Sequence, residues 1–281
     1  MNKVSWISFR TLVEQKNKPS LLNFLSPPEQ EKFRTVVSTA KKNPFIAPHA
    51  TEERLSRVHY SWLIMFLEPL AEGDKKIVLS ALDSNQTERL KEHFRLKRER
   101  SRAKKGVKSY LITVVYRWLI ADQKEFLPLE FLPDHPLNPL TDLPKKELQN
   151  LIDSLGLHDL AIELKHIIKS DQIKKIQKVL IPEEQKFLKK EIKVKDPITF
   201  SRLNLDSWNG DREMLKAILH HRGLNRLAKA LFGCHPSLLW HICHTLDTGR
   251  TKILRNFFTD IKNDKVHATL IDQILDLIQG W

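Results

Sequence analysis

The sequence predicts an all-α fold built from stacked helical hairpins. Leu, Ile and Lys dominate the chain, and segments that alternate apolar with polar residues are few, which favours helix over strand. Only 8 glycines occur among 281 residues. With 41% hydrophobic and 29% charged residues, the composition is that of a folded globular protein and not of a disordered chain.

Five short segments share the pattern expected at a corner between two helices. Each begins with an apolar residue, continues with Ser, Asp or Pro near a helix start, and reaches a second apolar residue eight positions later. We expect the second apolar residue to face back onto the preceding helix. Capped corners also occur in any helical protein, but five of them favour armadillo-like or bundle-like pairs of helices, and their spacing is too irregular for a regular solenoid. The segments are 25–33, 82–90, 143–151, 180–188 and 246–254.

Prolines divide the chain into two predicted domains. Five of them fall within residues 128–144, and such a density stops helices. A second break near residues 193–211 divides the C-terminal half into subdomains at about 146–192 and 212–281. The predicted organisation is an N-terminal helical domain over residues 1–125, a proline-rich linker over 126–145, and a C-terminal helical domain over 146–281.

The net charge of +13 is concentrated in residues 89–108, which contain ten Lys or Arg and two Glu. Such a run attracts nucleic-acid phosphates, anionic lipid or an acidic protein partner, although a solvated helix end is the simpler alternative. Phe94 is its only aromatic residue. Because nucleic-acid readers usually interleave aromatic residues for stacking, this scarcity disfavours specific recognition of nucleic acid. The candidate basic patch comprises Arg95, Lys97, Arg98, Arg100, Arg102, Lys104 and Lys105.

Residues 227–246, LAKALFGCHPSLLWHICHTL, place two Cys and three His close together. Zinc sites use spacings such as Cys-x-x-Cys or His-x-x-x-His, and neither occurs here, so we predict no metal site. Cys243 is expected to be a small core residue. Gly233 suits the end of one helix and Pro236 the start of the next, which predicts a helix corner.

Four residues of this corner are candidates for binding a partner protein: His235, Pro236, Ser237 and Trp240. An exposed Trp is a good interface anchor, but a rigid turn with Trp240 buried is an equally open alternative. Trp62 and Trp118 lie in apolar segments and are predicted to be core residues. The amphipathic C-terminal segment is expected to close the core of the C-terminal domain.

The sequence contains none of the phosphate-binding, dinucleotide-binding or nucleophile-elbow motifs, so we predict a non-enzyme without catalytic residues or a cofactor. Two cysteines cannot form a disulfide framework, which favours a reducing compartment. The N-terminus lacks the apolar core of a secretory signal, and the most apolar run, residues 110–121, is too short to span a bilayer. We therefore expect a cytoplasmic protein, either free or at the cytoplasmic face of the inner membrane.

Two segments carry a resemblance to a known family. In residues 226–254, Leu227-Ala228, Leu231, the His235-Pro236 pair and Leu246 resemble the armadillo-type middle domain of the flagellar motor-switch protein FliG. That family binds the next ring protein through a Glu-His-Pro-Gln motif on a helix corner, and here the His-Pro pair is kept while the flanking residues differ. Residues 140–192, centred on Asp159 to Lys165, are similar to another armadillo-type FliG segment.

The departures from FliG change what the resemblance implies. The two segments occur in the opposite order, the Met-Phe-Val-Phe hinge is absent, and a nearly apolar tail replaces the charged torque helix. The resemblance therefore implies a relative that does not rotate. It implies a scaffold such as an SctK-type adaptor of a type III secretion sorting platform, which binds ring or stalk proteins. A nucleic-acid-binding regulator that uses residues 89–108 is the alternative.

Overall fold

The predicted all-α class is confirmed. The structure is a computed structural model that describes residues 19–35, 48–97, 103–167, 170–194, 201–203 and 208–280, with single positions at 6, 9, 10, 13, 198 and 205. Within these residues the secondary structure is helical throughout and contains no strand. The armadillo-like stacking of the helices stays a prediction.

Within the described residues, six α-helices precede the proline-rich region. They are α1 (Pro27–Thr35), α2 (Pro48–Arg57), α3 (Ser61–Leu67), α4 (Glu72–Leu79), α5 (Ser84–His93) and α6 (Lys105–Ile120). A short 3-10 helix, Pro19–Phe24, lies before α1, and two more, Leu129–Phe131 and Asn138–Asp142, lie in the proline-rich region.

In the described part of the chain after the proline-rich region, there are seven α-helices. They are α7 (Lys145–Leu164), α8 (Ser170–Val179), α9 (Pro182–Glu191), α10 (Arg212–Ala230), α11 (Pro236–Thr245), α12 (Thr248–Phe257) and α13 (Asp264–Gln279). No helix in the described ranges is both long enough and apolar enough to cross a bilayer.

All five predicted corners begin a helix, namely α1, α5, α7, α9 and α12. The cap of α5 shows the local chemistry, because the Asp83 side chain accepts a hydrogen bond from the Asn85 amide at 3.0 Å. The apolar residue eight positions into each segment is buried, as the pattern predicts. These residues are Phe33, Leu90, Leu151, Leu188 and Leu254.

The chain forms two compact units that do not follow the predicted boundaries at every point. Unit 1 comprises Met1–His135 with His235–Thr248, and unit 2 comprises Pro136–Cys234 with Gly249–Trp281. Residues 235–248, assigned from sequence to the C-terminal domain, therefore group with the N-terminal unit. The physical reason is burial, because Trp240 on α11 belongs to the hydrophobic core of unit 1.

The main core of unit 1 is formed by α2 to α6 together with α11. Its most deeply buried side chains include Leu63, Leu67, Leu90 and Val115. Gln86 is the polar residue at its centre, and its Nε2 donates to the backbone carbonyls of Leu55 and Val58, both at 2.7 Å. These bonds give a donor to the carbonyl of Val58, just after α2, and a second donor to that of Leu55, which also accepts from the Val58 amide at 3.0 Å.

Unit 2 is organised around the crossing of α7 and α10. Each helix has a glycine at the crossing point: a Cβ on Gly156 would lie 2.0 Å from the Leu219 carbonyl oxygen, and a Cβ on Gly223 would lie 1.7 Å from that of Ile152. The two backbones therefore touch where side chains would normally separate them. Further along, the fully buried Arg226 donates from Nε and Nη2 to Asp159, at 2.8 and 2.5 Å.

Helix α13 covers this crossing. Its apolar stripe is buried at Val266, Leu270 and Ile274, and it packs against both α7 and α10. Gln273 also accepts a hydrogen bond from Nη1 of Arg226 at 2.7 Å, which ties α13 to the buried ion pair. The expectation that the C-terminal segment closes its core is confirmed at Leu270 and Ile274, which are fully buried, whereas Leu277 and Ile278 are half-buried.

Candidate protein-docking surfaces

The His-Pro corner forms the N-terminus of α11. Pro236 occupies the first turn of the helix and is exposed, while His235 is partly exposed and acts as the N-cap. Nδ1 of His235 accepts a hydrogen bond from the Ser237 amide at 3.2 Å. Pro suits this position because it has no amide hydrogen to leave unsatisfied, so the corner is a well-defined helix start.

Ser237 lies inside the corner. Its side chain is buried, its Oγ accepts from the Leu127 amide at 2.8 Å, and it donates to the Glu125 carbonyl at 3.3 Å. His241, one turn further along α11, also bonds through Nε2 to the carbonyl of Leu127 at 3.1 Å. The hydroxyl of Ser237 is thus occupied by the chain segment that leads into the proline-rich region.

Trp240 is only 4% exposed. Of the two alternatives that the sequence left open, an exposed anchor and a buried ring, the structure has the buried ring. Its ring stacks on His244 at a centroid distance of 3.8 Å and meets the edge of Phe126 at 4.8 Å. His244 is stacked on its other face by Trp62, at 4.2 Å. Of the four predicted partner-binding residues, His235 and Pro236 therefore retain exposed surface, and Ser237 and Trp240 do not.

Hydrogen bonds, in addition to the ring contacts, hold α11 in unit 1. The His59 amide donates to the carbonyl of His244 at 2.7 Å, and Nε1 of Trp62 donates to that of Leu246 at 2.9 Å. At the end of the helix the Thr248 amide donates to Oγ of Ser61 at 3.1 Å. The first two bonds give carbonyls at the C-terminal end of α11 partners from the N-terminal part of the chain, and the third holds the first residue of α12.

Both cysteines are buried, as expected for core residues, and neither forms a disulfide. Cys243 is fully enclosed on α11, and Cys234 precedes the corner. In the part of the chain that the structure describes, no group of three or more His, Cys, Asp or Glu side chains is arranged to hold a metal ion. The imidazoles of His241 and His244 instead make the backbone and ring contacts described above.

The predicted basic patch spans the connection between α5 and α6. Arg95, Lys97, Lys104 and Lys105 are exposed, whereas Arg98, Arg100 and Arg102 lie outside the described residues. Arg95 adopts a left-handed backbone conformation, with φ of 53°, where α5 ends. Lys108 forms an ion pair with Glu52 across to α2. Arg95, Lys97, Lys104 and Lys105 therefore face solvent, which both a binding surface and a solvated helix end require.

Helix α6 carries an exposed apolar surface that the sequence analysis did not anticipate. Tyr110 is 69% exposed, Trp118 is 40% exposed, and Val107 and Val114 complete the set. Their spacing of three or four residues places all four on one side of the helix. We call Val107, Tyr110, Val114 and Trp118 the α6 face. Its Trp118 rests edge-on against Phe66 of α3, at 5.3 Å.

The prediction that Trp118 belongs to the core is wrong. Residues 110–121 are apolar on several sides of the helix, and the side that the core uses is Ile112, Val115 and Leu119. The signal that could have revealed the α6 face is its own spacing, since residues 107, 110, 114 and 118 form a second stripe beside the first. Trp and Tyr on such a stripe are typical of protein interfaces.

Comparison with protein-family models, with curated proteins and with solved structures finds no match to this chain.

Proposed function

We propose that this chain is a non-enzymatic scaffold or adaptor of a type III secretion apparatus that binds other ring or stalk proteins. The observation that supports this most directly is the α6 face. Two aromatic and two aliphatic side chains are exposed along one helix, and exposed apolar surface of this kind marks interaction sites in globular proteins. The assignment to secretion rests on the FliG-like segments in residues 140–192 and 226–254.

The His-Pro corner is the second docking point of the proposal. His235 and Pro236 are available to a partner, and the rest of the corner holds them in place through Ser237 and Trp240. A docking site that is already ordered costs little conformational entropy on binding. In this view the protein is cytoplasmic and lies at the inner-membrane face of the apparatus through its partners.

Affinity purification of the full chain from its native cell tests the proposal. We expect ring or stalk proteins of the secretion apparatus to co-purify in stoichiometric amounts, and Pro236→Ala or Trp118→Ala to reduce their recovery. Lys216→Ala, an exposed change in unit 2, is the matched control. Purification without any secretion component would refute the proposed function.

A nucleic-acid-binding regulator is the second candidate, favoured by the exposed cations Arg95, Lys97, Lys104 and Lys105. Against it, the one aromatic residue of the segment is engaged, since Nζ of Lys75 lies 4.9 Å from the ring centroid of Phe94. Retention on heparin that collapses with added salt, together with a mobility shift of random duplex DNA, would favour the regulator. The adaptor predicts that random duplex DNA is not bound at physiological salt.

A further inference from the structure

We infer that the α6 face binds an acidic amphipathic helix of a partner protein, and this inference deepens the proposed function by assigning a chemistry to the partner. The face runs from Val107 to Trp118, which is about 16 Å or three helical turns. At 100° per residue, its side chains and Arg117 occupy a sector of roughly 100°, the width of the apolar stripe of an amphipathic helix. The exposed side of α6 therefore matches the apolar stripe of an amphipathic partner helix in length and width.

The charge of the surface determines the charge of the partner. Residues 105–120 contain three cations, Lys105, Lys108 and Arg117, and no acidic residue. Arg117 is exposed and lies within about 20° of Tyr110 around the helix. It has no ion-pair partner among the described residues, whereas Lys108 is paired with Glu52. A partner helix with Asp or Glu beside its apolar stripe would supply the missing carboxylate.

The residue types of the surface are those that dominate binding energy at interfaces. Trp, Tyr and Arg are the residues most enriched at energetic hot spots, and this surface has one of each within nine residues, at positions 110, 117 and 118. The ring of Trp118 is steadied by its edge contact with Phe66, so less rotamer freedom is lost when a partner covers it. A guanidinium also binds a carboxylate through two parallel hydrogen bonds, which fixes the orientation of the partner.

The aliphatic part of the face favours a helix over nucleic acid. Val107 and Val114 lie between and beside the aromatic rings, and they offer a base no surface on which to stack. A lipid bilayer would accept the rings and pair Arg117 with its phosphates, so capture of lipid is the outcome from which the crosslinking below distinguishes a partner helix. Apolar residues at i, i+3 or i+4 and i+7 of a partner helix would fill the spaces between these side chains.

Site-specific photo-crosslinking in the native cell tests the inference. A photoreactive phenylalanine analogue replaces Tyr110 in the full chain, and the same analogue at Met214, an exposed position in unit 2, is the control. We expect the analogue at 110 to capture a helical protein segment of net negative charge with apolar residues at i, i+3 or i+4 and i+7. Capture of lipid, of nucleic acid, of a second copy of this chain, of a segment without acidic residues, or of nothing would overturn the inference.

The captured segment, as a synthetic peptide, is then titrated against purified full-length protein. We expect Arg117→Glu and Trp118→Ala each to weaken binding at least tenfold, and Arg117→Lys to weaken it less because the charge is kept. Unchanged thermal unfolding of the Arg117 variants excludes a loss of fold, since this side chain is exposed. Equal affinity of wild type and Arg117→Glu would overturn the charge argument.

The experiment separates failure of the inference from failure of the proposed function. If secretion proteins co-purify but no acidic helix is captured at position 110, the adaptor stands and the inference fails. If an acidic helix is captured from a protein outside the secretion apparatus, the inference stands and the assignment to secretion fails.

Discussion

Replacement of Gly223 by Ala is the sharpest test of how unit 2 is held together. A Cβ at this position would lie 1.7 Å from the carbonyl oxygen of Ile152, whereas real Cβ atoms essentially never approach a heavy atom within 3.0 Å. The obstacle is backbone, which cannot rotate out of the way. Helices α7 and α10 would have to separate by more than about 1 Å, and buried side chains along the crossing would lose contacts.

Two effects of opposite sign compete in this variant. Alanine is the better helix former, by about 1 kcal/mol over glycine in a helix interior. Overpacking of a buried interface typically costs 1–3 kcal/mol, and a clash with backbone belongs at or above the upper end of that range, about 3 kcal/mol. We therefore expect Gly223→Ala to lower the free energy of unfolding by roughly 2 kcal/mol or more, equivalent to a melting temperature about 4–8 °C lower.

Thermal unfolding followed by far-ultraviolet circular dichroism gives the measurement. Gly73→Ala is the matched control, since Gly73 lies in a helix and no atom comes within 4 Å of the position its Cβ would take. The control should melt at or above the temperature of the wild type. Gly156→Ala should resemble Gly223→Ala, and the double variant should lose less than the sum because the helices separate only once. A higher melting temperature for Gly223→Ala would refute the close crossing of α7 and α10.

Three further changes test other parts of the fold. Trp240→Ala should cost about 3–5 kcal/mol in chemical unfolding because it empties a core site, whereas the exposed Pro236→Ala should change little; equal effects would contradict the burial of the ring. Gln86→Met leaves the Val58 carbonyl without its donor and removes one of the two donors to that of Leu55, so it should cost roughly 1–3 kcal/mol; a neutral result in urea unfolding would count against those hydrogen bonds. A hydrogen bond from His158 lowers the pKa of Glu191 below its ordinary value of 4.5, so this carboxylate stabilises the fold above that pH and the stabilisation is lost as pH falls through the lowered pKa. Glu191→Gln should therefore be less stable than wild type at neutral pH, and stability curves that failed to converge in acid would contradict the pairing.

The local parts of this fold could be predicted from the sequence because their causes are local. The cap at Asp83 and the buried Leu90 lie within the same nine-residue segment as the turn that they flank, so one window contains the whole signal. The same applies to the helix start at Pro236. Helix starts of this kind depend on side chains two or three residues away, and a single sequence contains that information.

Long-range contacts decide the features that the sequence left open or misassigned. Trp240 packs against Phe126 and against His244, and Trp62 stacks on the other face of His244. Phe126 and Trp62 both lie more than a hundred residues earlier in the chain than Trp240. Trp118 is exposed because the core uses the neighbouring stripe of the same apolar helix, and hydrophobicity alone cannot rank two apolar stripes. The glycine crossing of unit 2 likewise joins residues whose proximity no local pattern encodes.

The placement of Trp240 also determines how the docking proposal has to be tested. A tryptophan variant at the corner would lower partner recovery even if the corner bound nothing, because it removes a core side chain and destabilises unit 1. Pro236 and Trp118 do not have this ambiguity to the same degree, since both present exposed surface.

The hydrogen bonds that hold α11 in place favour the proposal, because a corner held by Ser237 is already ordered before a partner arrives and loses little conformational entropy on binding. Loss of partner binding in Pro236→Ala with unchanged unfolding would therefore be evidence for docking at the corner, whereas loss in Trp240→Ala would not.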